Sequence, residues 1–393
     1  MEIKISFTII FFITFWLNSS GQSKIDSLLN QVIQNNEVLK ANRKYQEAQS
    51  ILYKTGLTPA NPQLAYGYFP GDKDTPGRKE TFDLMQSFDF PTTYVIRKNV
   101  SYNQVQHTAV MGKVVRQDVL LKAELTLFEL IYLQKVNYEF IQRQALAERL
   151  LKDFQRKMDH GDANQLDLNK ARLVLLLANN NVRKNQSSID QVIEKLTQMN
   201  GGFEPDIGDL GYPDIELQDM DTIIKNSLNK YPDLEALRIN KLLALNMVKL
   251  QKSMSLPSFE MGYGSEVVPG EYFRGIRVGL TIPLWENKNK VKQARVNAEH
   301  TELQAKSRIS ELISIIKQIY YQASSLKLNL EDYQKTISQS KNQELLGKAL
   351  ELGQISAIEY FMEVRFFYQL IDKYLELEKI YFQMLAQLYQ HEL

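Results

Sequence analysis

Apolar and polar residues alternate with a period of two in four short stretches of this chain, and with a three-four spacing along much longer ones. In Gln63 to Phe69, Leu64, Tyr66 and Tyr68 alternate with smaller or polar neighbours. In Glu80 to Phe90, Phe82, Leu84, Phe88 and Phe90 take one face, and Asp83, Ser87 and Asp89 the other. Phe259, Met261 and Tyr263 alternate with Glu260, Gly262 and Gly264, and Ile276, Val278, Leu280, Ile282 and Leu284 with Arg277, Gly279 and Thr281. Such alternation predicts strands with one apolar and one polar face. The loops Pro70 to Lys79 and Val268 to Glu271 hold Pro-Gly turn chemistry, so the four strands form two hairpins.

The rest of the chain reads as helix. Segments of roughly 30 residues, about 24–56 and 217–255, precede the two hairpins and close before Pro62 and Pro257. Longer helices follow, from about Pro91 to Met158 and from about Trp285 to Leu352, without an internal proline. At about 1.5 Å per residue each would span roughly 100 Å. After Gly161 and Gly353 a second helix runs back for about 35–40 residues, and Gly201-Gly202 ends the first of these. Three heptad runs stand out: Ile309, Leu312, Ile316, Ile319, Ala323, Leu326, Leu330, Tyr333 and Ile337; then Phe361, Val364, Tyr368, Ile371, Leu375, Glu378, Phe382 and Leu385; and, earlier, Ala171, Leu175, Ala178, Val182, Asn185, Ile189, Val192 and Leu196. This spacing favours left-handed coiled-coil packing.

The pattern is duplicated. Pro91, closing Ser87-Phe88-Asp89-Phe90-Pro91, and Pro283, in Leu280-Thr281-Ile282-Pro283-Leu284, differ by 192 positions. Gly161, opening a turn that runs to Asp167, and Gly353, opening one that runs to Glu359, also differ by 192. Two independent landmarks at one offset mark an internal repeat. The expected organisation is a signal peptide over 1–21, a first repeat over 22–200, a linker over 201–220 and a second repeat over 221–393.

Composition narrows the function. The formal net charge is +1, which marks no nucleic-acid partner. The chain has no cysteine, which excludes disulfides, thiolate metal sites and a lipid-modified N-terminal cysteine. Ile5 to Leu17 is an apolar run of about 13 residues behind Lys4, followed by Asn18, Ser19, Ser20 and Gly21. It is too short to span a bilayer as a helix and reads as a secretory signal. His107, His160, His300 and His391 lack metal-ligand spacing, and no nucleophile motif, phosphate loop or HExxH segment occurs, so neither an enzyme nor a cofactor is expected.

Four amphipathic strands cannot close a barrel alone, and lipid does not tolerate an open sheet edge. Two copies would give about eight strands, a size whose interior side chains largely fill, whereas three would give about twelve and leave an aqueous lumen. The polar faces carrying Asp83, Asp89, Glu260 and Arg277 suit that lumen. A homotrimer is thus the smallest oligomer that makes a channel.

Here the sequence resembles the TolC-like outer-membrane efflux family over essentially its whole mature length. Pro257-Ser258-Phe259 and Val278-Gly279-Leu280-Thr281-Ile282-Pro283-Leu284-Trp285 resemble the family's third and fourth strands and the start of its next long helix. Gly161 to Asp167 and Gly353 to Glu359 resemble its two periplasmic turns. The resemblance implies a mainly α chain with a small β part, a duplicated helix–β-hairpin–long helical hairpin unit. It also implies a trimeric twelve-stranded β-barrel in outer-membrane lipid, continued by a coiled-coil α-barrel. Residues 203–220 would lie in the equatorial region between repeats. A periplasmic adaptor and an inner-membrane pump would dock at the tips, at Gly161, Asp162, Gly353 and Gln354, in a tripartite efflux or type I secretion system. Asp167 and Glu359 would either ring the narrow end of the pore or stand as solvated helix N-terminal carboxylates.

The sequence departs from the family in two places. Glu286-Asn287-Lys288-Asn289 replaces a common glycine, with asparagine able to supply positive φ. Ile355 and Leu350 stand where some members hold the closed pore with arginine and tyrosine. Asn185, a polar residue at a heptad position, is expected to face the wet tunnel, or else to fix helix register. The rival readings are a periplasmic coiled-coil adaptor and a soluble structural protein. Both account poorly for two amphipathic hairpins behind a secretory signal.

Overall fold

A computed structural model describes residues 24–72, 77–161, 164–208, 210–339 and 342–393. The expected signal peptide therefore lies outside the described residues. Helices α1 (24–35) and α2 (Glu37–Leu52) lead into strands β1 (Gln63–Pro70) and β2 (Arg78–Phe88). Then come α3 (Pro91–Asp159), α4 (Gln165–Met199), α5 (Met220–Lys230) and α6 (Pro232–Ser253). Strands β3 (Ser258–Val268) and β4 (Glu271–Thr281) precede α7 (Lys290–Gln339), α8 (Asn342–Glu351) and α9 (Ala357–Tyr389). The duplicated order helix, hairpin, long helix, returning helix is the predicted one. Among the described residues, no helix is long and apolar enough to cross a membrane.

Several boundaries differ from expectation, each for a local reason. The segment 24–56 is two helices, because Asn36 interrupts it. The Asn36 Oδ1 accepts the Leu39 N–H at 3.1 Å, capping α2, while its Nδ2 donates to the Met199 carbonyl at 2.7 Å. The segment 217–255 is likewise two helices, because Pro232 cannot donate to the ladder and takes the first position of α6. Strand β2 stops at Phe88, two residues short of Phe90. Helix α7 begins at Lys290 rather than Trp285, after a turn in which Asn289 adopts φ +67°. In that turn asparagine supplies the positive φ that glycine would otherwise provide.

The chain packs as two units, each drawing on both repeats. One comprises residues up to Lys40, Val115–Lys230 and Ile313–Leu393; the other comprises Ala41–Val114 and Tyr231–Leu312. In the first, a core of Ile25, Leu120, Leu127, Phe128, Ile131 and Leu196 joins α1, α3 and α4. The heptad stripes of α4 and α9 point inward at every position named above, buried or half-buried. Asn185 is among them, and here the tunnel reading is corrected. It is 6% exposed and donates to the Leu133 carbonyl at 3.0 Å, so it fixes the register of α4 on α3.

Residues of the 201–220 linker also pack into this core. Leu210 is buried, and the Tyr212 ring stacks on Phe382 at 4.3 Å between centroids. Gly201 (φ +69°) ends α4 in a Schellman turn, with the Gly202 N–H donating to the Thr197 carbonyl at 2.9 Å. A Cβ on Gly201 would lie 2.4 Å from the Asn35 carbonyl oxygen, so this approach needs glycine.

The second unit holds the sheet, a four-stranded antiparallel meander in the order β1-β2-β3-β4. The central pairing, β2 with β3, joins the two repeats in a register that sets Phe88 opposite Phe259 and Asp83 opposite Gly264.

Candidate functional site

Two regions carry the functional expectations, the sheet in one unit and the helical hairpin tips in the other. The register places most of the apolar residues of the four strands on one face. Leu64 lies opposite Leu84, Leu84 opposite Tyr263, and Tyr263 opposite Ile276, in an unbroken row across the sheet. Phe259, Met261 and Val278 lie in neighbouring rows on that face. These side chains are uncovered: Val278 is 77% and Ile276 73% exposed. Strands β2, β3 and β4 each have 11 residues, about the length that crosses a bilayer at a tilt. Tyr66, Tyr68 and Tyr272 add the amphipathic rings that favour a membrane interface.

The opposite face is mostly small and polar, with Phe69 and Phe273 toward its hairpin end. Arg277 reaches across β3 to Asp83, Nη1 to Oδ1 at 2.7 Å. Gly264 makes the crossing possible, since a Cβ there would lie 2.8 Å from both groups. Lys79 pairs with Glu266 on the neighbouring strand β3 at 2.7 Å. Of the residues predicted for this face, Asp83, Glu260 and Arg277 lie on it. Asp89 does not, because it falls beyond the end of β2. Its carboxylate accepts from Arg97 of α3 at 2.7 Å, and its N–H donates to the Tyr94 hydroxyl at 2.9 Å. It pins the strand to the helix rather than lining the face.

At the tips the repeat is reproduced in atomic detail. Gly161 (φ +81°) and Gly353 (φ +68°) both take the left-handed conformation that ends a helix. Asn164 and Ser356, again 192 apart in the sequence, are the N-caps of α4 and α9, accepting from the Asp167 and Glu359 N–H groups. After α8 the Gln354 N–H donates to the Ala349 carbonyl at 2.8 Å, closing a Schellman turn. Asp162 lies outside the described residues.

Glu359 completes a capping box. Its carboxylate accepts the Ser356 N–H at 2.7 Å, and that bond holds it below the usual carboxylate range. Ile355 and Leu350 pack on an apolar cluster of Phe154, Leu168, Tyr360 and Phe361. A cleft of about 550 Å³ beside this cluster is lined in part by Arg149, Arg156, Lys157 and His160.

Sequence reasoning missed how the two hairpins are fastened. Three ion pairs link α3 to α9: Glu129 to Lys379 at 3.0 Å, Lys135 to Glu378 at 2.7 Å and Arg143 to Asp372 at 2.6 Å. The cations also face aromatic rings, Lys135 over Tyr212 and Arg143 over Tyr368. The one legible clue was Glu378, a charge inside an apolar heptad run that requires a partner. Among the described residues, no group of three or more histidine or acidic side chains is arranged to hold a metal ion.

No protein-family model matches the sequence, and no curated protein matches it. Solved structures do match. The outer-membrane channel OprN superposes with a TM-score of 0.80 at 12% identity, covering 94% of this chain and 89% of that one. CusC, studied for its folding and transmembrane channel formation, gives 0.77 at 14% identity, over 94% and 92%. The CmeC outer membrane channel of Campylobacter jejuni gives 0.75 at 15% identity, over 94% and 85%. Across nearly its whole length, then, this chain has the fold of outer-membrane channels.

Proposed function

We propose that the chain is one subunit of a passive outer-membrane channel, in which three copies close a twelve-stranded barrel. The observation that carries this reading is the sheet: one uncovered apolar face, one polar face, and edges at β1 and β4 with no partner strand among the described residues. A head-to-tail contact, β1 of one copy on β4 of the next, satisfies both edges and closes by rotation. The apolar face then meets lipid, and the polar face lines water.

In the same reading the sheet spans the outer membrane and the helical hairpins extend into the periplasm. There the tips at Gly161, Asp162, Gly353 and Gln354 meet an adaptor, which connects the channel to an inner-membrane pump in an efflux or type I secretion system. Energy comes from that pump, since nothing in the sequence resembles a phosphate-binding loop. In this reading Asp167 and Glu359 would stand at the narrow end of the pore, but the Glu359 carboxylate is engaged in its capping box, which favours the helix-terminal role. Residues 1–21 are proposed to be removed on export, with 22–200 and 221–393 as the two repeats.

The reading is tested by purification from the outer-membrane fraction after alkaline carbonate washing, followed by light scattering in mild detergent and planar-bilayer recording. A trimeric mass with unitary conductance is expected. A soluble monomer, as an adaptor or structural protein would give, overturns it.

A further inference from the structure

Six ionisable side chains lie on the polar face of the sheet: Lys79 and Asp83 on β2, Glu260 and Glu266 on β3, Glu271 and Arg277 on β4. Four of them cancel in pairs, Arg277 with Asp83 and Lys79 with Glu266. Glu271 is the first residue of β4, at the exposed hairpin end where it faces Val268. Glu260 is the other charge left over. It sits near the opposite end of the sheet, and it has neither ion pair nor hydrogen bond among the described residues.

Its surroundings keep it that way. Ser87 on β2 and Gly279 on β4 are its register partners, and neither carries a charge. A Cβ on Gly279 would lie 3.3 Å from the Glu260 Oε2, so the carboxylate lies over space that any side chain there would contest. The flanking positions on the same strand, Ser258 and Gly262, are also uncharged, and Arg277, diagonal to it on β4, is taken by Asp83.

We propose that Glu260 is the selectivity-determining charge of the barrel, biasing its lumen toward cationic cargo. The inference rests on the channel reading above. Three copies place three unpaired carboxylates at one level of the lumen, close to where the strands join the helices. Walls of low dielectric focus the field of such a ring into the water it encloses. The paired charges on the same face contribute dipoles rather than a net field.

The chain has no cysteine, which permits a local test. Ser87→Cys puts a single thiol opposite Glu260 in the assembled protein. Its reaction rates are measured with a cationic and an anionic methanethiosulfonate of similar size. The cationic reagent is expected to react faster, and Glu260→Gln in the same background to lower the rate ratio by about three- to ten-fold, as expected for a unit charge at roughly 5 Å across water. High salt should lower the ratio similarly with Glu260 intact.

A reactive thiol whose rate ratio ignores both Glu260→Gln and salt overturns the selectivity role and leaves the channel standing. Where Glu260→Gln does not assemble, the salt series on Ser87→Cys alone decides, and a ratio that salt does not move again overturns the role. An introduced thiol that reacts with neither reagent, but is labelled by a lipid-soluble maleimide, places this face in lipid. That result overturns the channel reading itself.

Discussion

Glu124 is the most informative single residue for testing how the helical core was built. It lies on α3 beside Ala123 and Leu127 and is 9% exposed. Burial, reinforced by the negative charge of Asp26 on α1, pushes its carboxyl up to about 7 from 4.5. The raised value fixes the sign. The fold favours the protonated form, so this contribution is fully present below the unfolded value near 4.5 and is lost as pH rises through 7. Linkage over that interval gives a loss on the order of 2–3 kcal/mol per chain between about pH 5 and pH 8. Glu124→Gln imitates the protonated state and should abolish the loss. The assay is chemical denaturation followed by far-ultraviolet circular dichroism, with the variant-minus-wild-type difference taken at each pH. His391 does not confound it. Its ring is buried with Nε2 unbonded, which lowers its pKa, so its contribution is present above about 6.5 and lost as pH falls. It is common to both proteins and cancels in the difference. A difference constant from about pH 5 to pH 8 would refute the claim that Glu124 is held neutral in the core.

Four further outcomes follow from particular contacts. Lys135→Met leaves the half-buried Glu378 unpaired and should cost about 2 kcal/mol, much of it recovered in the double variant with Glu378→Leu, measured by thermal melting. Gly201→Ala, whose new Cβ meets the Asn35 carbonyl, should lower a urea midpoint well below that of Gly202→Ala, where only positive-φ strain of about 1 kcal/mol applies. Asn289→Gly should be close to neutral and Asn289→Val destabilising by about 1–2 kcal/mol in the same urea assay, because only the latter has a bulky Cβ at φ +67°. Val278→Arg should abolish recovery in the outer membrane, a lipid-facing arginine costing about 2–4 kcal/mol, whereas Thr281→Ser on the polar face should assemble normally.

Much of the architecture is legible in the sequence alone. Alternation named the four strands because successive side chains point to opposite faces, and the 192-residue offset aligned the tip glycines, whose left-handed φ confirms the alignment. Asn289 could be read in the same way, since few residues tolerate its conformation. Boundaries were harder. The break at Asn36 depends on the Met199 carbonyl, a partner 163 residues away, and local propensity does not report such a partner. The break at Pro232 is available from the residue itself, but the longer periodic run around it hides it.

The candidate site divides along the same line. Which residues share the sheet's polar face followed from parity alone, so Asp83, Glu260 and Arg277 were correctly grouped. What that parity did not fix was pairing: that Arg277 crosses a glycine to reach Asp83, that Asp89 is held by Arg97, and that Glu260 is left unmatched. Likewise the heptad marked Asn185 as anomalous, but only the packing of α4 on α3 gave it the Leu133 carbonyl and so a structural role. The sequence by itself determined the elements, their duplication and the faces they present, because period and backbone conformation are local properties of the chain. The tertiary structure decided which charges and polar groups satisfy one another, because that depends on distances between residues far apart in sequence, where an ångström separates a bond from its absence.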